Sequence, residues 1–182
     1  MPWPAGDALP DGPPPAAIDA AMLDAALDGV FSEPADSGRR ETRAVVVVHR
    51  GRIVAERYAE GFDAETPLPG WSMTKSVMGA LTGIRVGQGA LDLFAPAPVP
   101  EWQGAADPRA AITLDRLLRM SSGLEFGEDT DEYGGDLLTM LFDRGDAAAY
   151  AAAKPLAHPP DTHWHYSSGT SNIVSRILRQ SF

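Results

Sequence analysis

The spacing of apolar and polar positions divides the chain into an opening helix, one strong strand pair and a longer helical stretch. From Ile18 the residues Ile18, Met22, Ala26, Leu27, Val30 and Phe31 recur near helical spacing, which predicts an amphipathic helix ended by the polar run Ser32 to Thr42. Ala44 to His49 (AVVVVH) and Arg52 to Arg57 (RIVAER) are rich in β-branched residues and flank the two-residue link Arg50-Gly51, so they predict a tight antiparallel hairpin. No later segment carries a comparable strand signal. An isolated hairpin is marginal in water, so this one is expected to need further strands or a covering helix.

Beyond the loop Phe62 to Gly70, Met73, Val77, Ala80, Leu81 and Ile84 outline the apolar face of a second helix. Its other face carries Gly79, Gly83 and Gly87 at every fourth position, although each glycine costs a helix interior about 1 kcal/mol relative to alanine. Close backbone packing against a neighbouring element is the expectation there. Leu91 to Trp102 is proline-rich and predicts a loop with extended pieces. Thr113 reads as the N-cap of a short helix through Leu114, Leu117 and Leu118 that ends near Ser122-Gly123. An acidic loop, Glu125 to Asp136, follows; it is expected to be solvated and to lie over a site mouth, where its charge disfavours anionic substrates. Leu137 to Phe142 and Ala147 to Ala153 predict two short helices, the second capped by Asp146, and Ile173, Val174, Ile177 and Leu178 mark a last helix. An extended proline-rich arm over residues 1–17 and a single domain over 18–182 complete the expected organisation.

Composition narrows the function classes. Lys plus Arg minus Asp plus Glu is 15 − 25 = −10 over 182 residues, so no basic stripe is available for phosphates and nucleic acid is a poor partner. The absence of cysteine excludes disulfides, thiol catalysis and thiolate metal sites, and leaves the compartment open. No apolar run reaches the roughly 18 residues of a membrane span. Met1 to Pro15 holds six prolines and is not a secretory signal as written.

Ser72-Met73-Thr74-Lys75 opens the glycine-striped helix. A spacing of three rotates about 300° and rises about 4.5 Å, so the hydroxyl and the amine project from neighbouring points of one face. A serine there can be deprotonated by a neutral amine, but an amine near its reference pKa of about 10.4 is charged at pH 7, so a second partner is needed. The plainer alternative is an N-capping serine followed by a solvated lysine. The stretch is not G-x-S-x-G, because Thr74 stands in the last glycine's place. Tyr166, in the turn His163 to Gly169, is the candidate partner, since a phenol acts as base when a nearby ammonium holds the phenolate. His158, His163 and His165 offer a rival metal site, but Asp161 is the one close carboxylate and no E-x-x-H accompanies them.

GWSMTKS (70–76), GQGALDL (87–93), ITLDRLLRMSSGLEF (112–126) and HYSSGTSNIVSRIL (165–178) together resemble the serine hydrolases of the β-lactamase and penicillin-binding-protein superfamily, in the family's order. The likeness is to class C β-lactamases, related esterases and 6-aminohexanoate-dimer hydrolases. It implies an α/β (α+β) fold, an antiparallel sheet with flanking helices plus a helical region. It further implies Ser72 as acylated nucleophile, Lys75 as its partner and Tyr166 as proton shuttle, acting on a small-molecule amide or ester with no metal or organic cofactor. Ser168 stands where class C β-lactamases carry Asn, which moves the expectation from β-lactams toward other amides or esters; Ser168 and Tyr133 are the candidate substrate-binding residues. The family's third motif, on a strand facing the nucleophile, has no counterpart. The sequence is therefore expected to be the N-terminal portion of such a domain, with the C-terminal strands missing and little or no activity alone. A non-catalytic, penicillin-recognising or sensor-type module is the alternative.

Overall fold

A computed structural model describes residues 9–34, 38–104, 106–130 and 134–182. Two compact units divide the chain between Pro69 and Gly70.

The first unit is built from helix α1, Ala20–Phe31, and the hairpin of β1, Ala44–His49, with β2, Arg52–Tyr58. Asp19 caps α1, its carboxylate accepting from the backbone of Ala21 and Met22 at 3.0 Å each, so the helix begins two residues after the expected Ile18. Arg50 and Gly51 both have positive φ, 49° and 77°, as a two-residue link between twisted antiparallel strands requires. The register runs from Ala44↔Tyr58 to His49↔Arg52 and slips between Val47 and Val48. This bulge leaves Val54 unpaired opposite β1, so Val54 and its neighbour Ala55 are both buried, against the strict alternation of a regular strand. Arg57 joins helix to hairpin by donating to Asp28 at 2.5 Å and to Asp24.

The second unit is helical. Its elements are α2, Met73–Gly87; α3, Leu114–Leu118; α4, Asp136–Leu138, which runs into a π-helical turn at Thr139–Asp143; α5, Ala147–Ala152; and α6, Ser168–Gln180. The expected caps are present: Thr113 accepts from the Arg116 N–H at 3.2 Å and Asp146 from the Ala149 N–H at 2.9 Å. Ile173, Val174, Ile177 and Leu178 face the core with Val99, Trp102, Ile112, Leu114, Leu117 and Met140, all buried. The proline-rich stretch is extended at Pro96, which bridges to Thr113, and its indole anchor Trp102 donates to the Ala152 carbonyl at 2.9 Å. Beyond the hairpin, the described residues pair in extended form at two isolated bridges, Pro96↔Thr113 and Leu124↔Leu156.

Helix α2 departs from expectation on both faces. Thr82 is its buried side chain, with the hydroxyl satisfied by the Met78 carbonyl at 2.8 Å, whereas Val77 is 59% and Ile84 54% exposed. A Cβ built on Gly79, Gly83 or Gly87 meets nothing within 4 Å, so the glycine stripe is not a close-packing surface among the described residues. The inward strip is narrow because α2 turns Thr82, flanked by half-buried Met78, toward its unit. The close approaches lie elsewhere. A Cβ on Gly169 would fall 2.5 Å from the Phe126 ring, and one on Gly123, at φ 78°, would fall 2.2 Å from the His158 carbonyl oxygen.

Candidate active site

Trp71 enters α2 with a φ of 43°, in the left-handed region, and its indole is exposed. The turn places Ser72 at the N-terminal boundary of α2 with helical angles, φ −69° and ψ −7°. In that conformation the hydroxyl caps no backbone N–H, which removes the plainer reading of Ser72 as an N-cap. Met73, Thr74 and Lys75 donate instead to the carbonyls three residues back, at 3.0 Å each, and the Thr74 hydroxyl closes on the Trp71 carbonyl at 2.7 Å.

Tyr166 arrives from nearly a hundred residues away because the segment before it is strapped to Met120–Phe126. His165 donates its N–H to the Met120 carbonyl at 2.9 Å, Asp161 to Ser121 at 2.8 Å, and Ala157 and His158 both to Gly123, at 2.9 and 3.2 Å. The His165 ring adds Nε2 to the Phe126 carbonyl at 2.7 Å. Ser167 then caps α6 by accepting from the Thr170 N–H at 3.0 Å, and Gly169 lets α6 close onto Phe126. These contacts explain why the SSGLEF and HYSSG segments are both needed to set one phenol.

The three groups singled out from sequence meet. Lys75 Nζ donates to Ser72 Oγ at 3.1 Å, and the Tyr166 hydroxyl donates to the same oxygen at 2.7 Å. Lys75 Nζ also stands 4.7 Å from the Tyr166 ring centroid. Lys75 first, and Ser72 second, hold the Tyr166 phenol below the ordinary tyrosine range, against a weaker upward push from desolvation and from the Glu128 charge. On loss of the phenolic proton the short contact reverses, with Ser72 as donor to the phenolate. The arrangement can therefore move a proton between the serine oxygen and the phenol without any displacement of the backbone.

The other expectations fall out differently. Ser168 lies beside the site, but its hydroxyl donates to Glu128 Oε2 at 3.0 Å and its N–H to Glu128 Oε1. Tyr133 lies outside the described residues. Glu128 itself was not singled out from sequence; it sat unmarked within an acidic run read as solvated, and nothing in spacing separates it from its neighbours. Part of that run is anchored rather than free: Asp136 accepts from the Gly127 N–H at 3.0 Å, the Tyr150 hydroxyl at 2.6 Å and Lys154. Among the histidines, His158 and His163 stack with ring centroids 4.2 Å apart, and the described residues contain no group of three or more His, Asp or Glu arranged to hold a metal ion. No described helix is long and apolar enough to cross a membrane.

A cavity of about 630 Å³ opens beside Ser72, Lys75 and Tyr166. Its walls come from α2, from the Leu137–Leu141 stretch and from α6, so Ser72 and Tyr166 face a space with an apolar side built from α2 and Leu137–Leu141 and a more polar side where α6 presents Ser168, Ser171, Asn172 and Ser175.

The chain is similar to known proteins in family and fold. The family model described as Beta-lactamase matches residues 27–182. Esterase EstB of Burkholderia gladioli is 33% identical over 176 residues, covering 82% of this chain and 43% of EstB. A Bacillus anthracis structure, named for a 6-aminohexanoate-dimer hydrolase, superposes with a TM-score of 0.64 at 22% identity, covering 87% of this chain and 42% of that one; at that identity the likeness speaks to fold alone. The chain thus spans less than half the length of the relatives it matches. By the family model, and in agreement with the curated relative, this chain belongs to the Beta-lactamase family.

Proposed function

We propose that the chain is the serine-bearing portion of an enzyme that hydrolyses an amide or ester through an acyl-enzyme on Ser72. The observation that carries this reading is the convergence of Lys75 and Tyr166 on one serine oxygen, at 3.1 and 2.7 Å. Tyr166, as phenolate held by the Lys75 ammonium, takes the Ser72 proton while Oγ attacks the carbonyl carbon. The tetrahedral intermediate collapses as Tyr166 returns that proton to the departing alcohol or amine, leaving an ester on Ser72. A water molecule then adds to this ester and gives its proton to Tyr166, and Ser72 leaves with that proton as the acid is released. The Ser72 backbone N–H, at the start of α2, supplies one donor to the oxyanion, a position where loss of one donor elsewhere costs about 10²- to 10³-fold in rate. No step calls on a metal or organic cofactor.

Labelling with a fluorophosphonate, followed by peptide mapping, tests the assignment. The expected result is one adduct on Ser72, absent from Ser72→Ala, with the variant retaining its fold by circular dichroism. Wild-type turnover in Ser72→Ala refutes the reading. A folded chain that binds a penicillin reversibly and leaves Ser72 unmodified favours the sensor-type module instead.

A further inference from the structure

The cavity beside Ser72 is unevenly furnished. Val77, Leu81, Leu137, Met140 and Leu141 give it an apolar side, Ser171, Asn172 and Ser175 of α6 an uncharged polar one, and among the described residues it holds two charged side chains, Lys75 and Glu128. Lys75 is committed to Ser72 and lies over the Tyr166 ring. Glu128 is the remaining charge, and it is not a side chain free to swing into water. One carboxylate oxygen accepts the Ser168 N–H and the other the Ser168 hydroxyl at 3.0 Å, so the group is gripped from two directions at the start of α6. Both donors are neutral, so neither offsets the negative charge of the carboxylate in the cavity wall.

We infer that Glu128 is a specificity-determining residue that rejects a negative charge on the part of the substrate entering this cavity. The site accordingly takes esters or amides with an uncharged, apolar acyl chain and turns away carboxylate-bearing acyl chains of the same length. The inference rests on Ser72 being the acylated residue, and adds to that reading a substrate class and the group that sets it. Apolar walls favour the uncharged chain by burial. The fixed carboxylate adds discrimination by repelling a like charge, which burial alone cannot distinguish from simple polarity.

Two esters with the same leaving group test this: 4-nitrophenyl heptanoate and mono-4-nitrophenyl adipate, matched in chain length but ending in a methyl and a carboxylate. The readout is the ratio of their kcat/KM values, measured from nitrophenolate release, with the acylated residue mapped for each. In the 182-residue chain the heptanoate ester is expected to react at least about tenfold faster, and in Glu128→Gln the ratio is expected to fall about tenfold, whatever happens to the absolute rates. A ratio unchanged in Glu128→Gln overturns the proposal while leaving Ser72 in place. Should Glu128→Gln fail to fold, the wild-type chain carries the test: the ratio is expected to shrink between about 20 mM and about 0.5 M NaCl as the charge is screened, and a constant ratio overturns the proposal. If neither ester nor the fluorophosphonate modifies Ser72, the nucleophile reading itself falls, a result distinct from a failure of Glu128.

Discussion

Lys75 acts on Tyr166 from 4.7 Å above the ring and through the serine oxygen they share, and this pairing holds the phenol below the ordinary tyrosine range. Because Lys75 is the largest influence lowering the Tyr166 pKa from 10.0, its removal has a definite sign. Activity that needs the phenolate rises with pH through the depressed Tyr166 value. In Lys75→Ala that rising limb is expected to move toward higher pH, and the rate of Ser72 labelling at pH 7 to fall by about 10²-fold or more. A pH profile of fluorophosphonate labelling for both proteins checks this; a limb that stays in place shows that Lys75 does not set the basicity of Tyr166. At this scale the sequence was informative about identity and silent about geometry. Ser72 and Lys75 share a helix turn, so their proximity follows from a spacing of three. Tyr166 reaches them by way of backbone hydrogen bonds between two loops, which no local spacing encodes. Glu128 was hidden for the same reason, since its partner Ser168 lies 40 positions away.

Among the elements, α4 is joined to the segment just after α5 by an ion pair, Asp136 with Lys154, that the acidic run concealed. Burial pushes the Asp136 carboxyl up, but Lys154, Tyr150 and the Gly127 N–H together outweigh it and leave the pKa below its ordinary 3.8. Lys154 is raised in turn, burial opposing and Asp136 and Tyr150 prevailing. A lowered carboxyl contributes stability that is present above its unfolded pKa and lost as pH falls through the folded one. Asp136→Asn is therefore expected to cost about 1.5–3 kcal/mol at pH 7 and to flatten the loss of stability below about pH 4. Urea unfolding at pH 7 and pH 3 measures both; equal stability of the two proteins at pH 7 removes Asp136 as the anchor. Helix boundaries elsewhere followed capping chemistry, as Thr113, Asp146 and Ser167 illustrate, because a side-chain oxygen on a first-turn N–H is a local interaction. The facing of α2 did not follow its apolar periodicity. Val77 and Ile84 match an apolar stripe yet lie exposed, while Thr82 turns inward, because facing is settled by the neighbours an element meets.

The molecule as a whole divides its apolar burial unequally. In the first unit Leu27, Val54 and Ala55 are the buried hydrophobic residues described, whereas α3, α5 and α6 share a continuous core around Trp102, Ile112, Leu117 and Ile177. Opening free energy follows local burial, so the β1 and β2 amides are expected to exchange with solvent faster than those of α6, by about tenfold or more. Hydrogen exchange followed by mass spectrometry tests the order; a hairpin protected as well as α6 contradicts it. What the amino-acid sequence determined unaided was the local content: the hairpin with its Arg50-Gly51 turn, the Thr113 and Asp146 caps, the family motifs in order and the residue types of the candidate site. These rest on interactions within a few positions of one another. The tertiary structure alone decided that a phenol and a hydroxyl 94 residues apart come within 2.7 Å, that Glu128 closes on Ser168, and that Gly169 rather than the α2 glycines marks the tight approach. Those outcomes depend on which surfaces meet when separate segments pack, and packing is a property of the assembled core that no single stretch of chain contains.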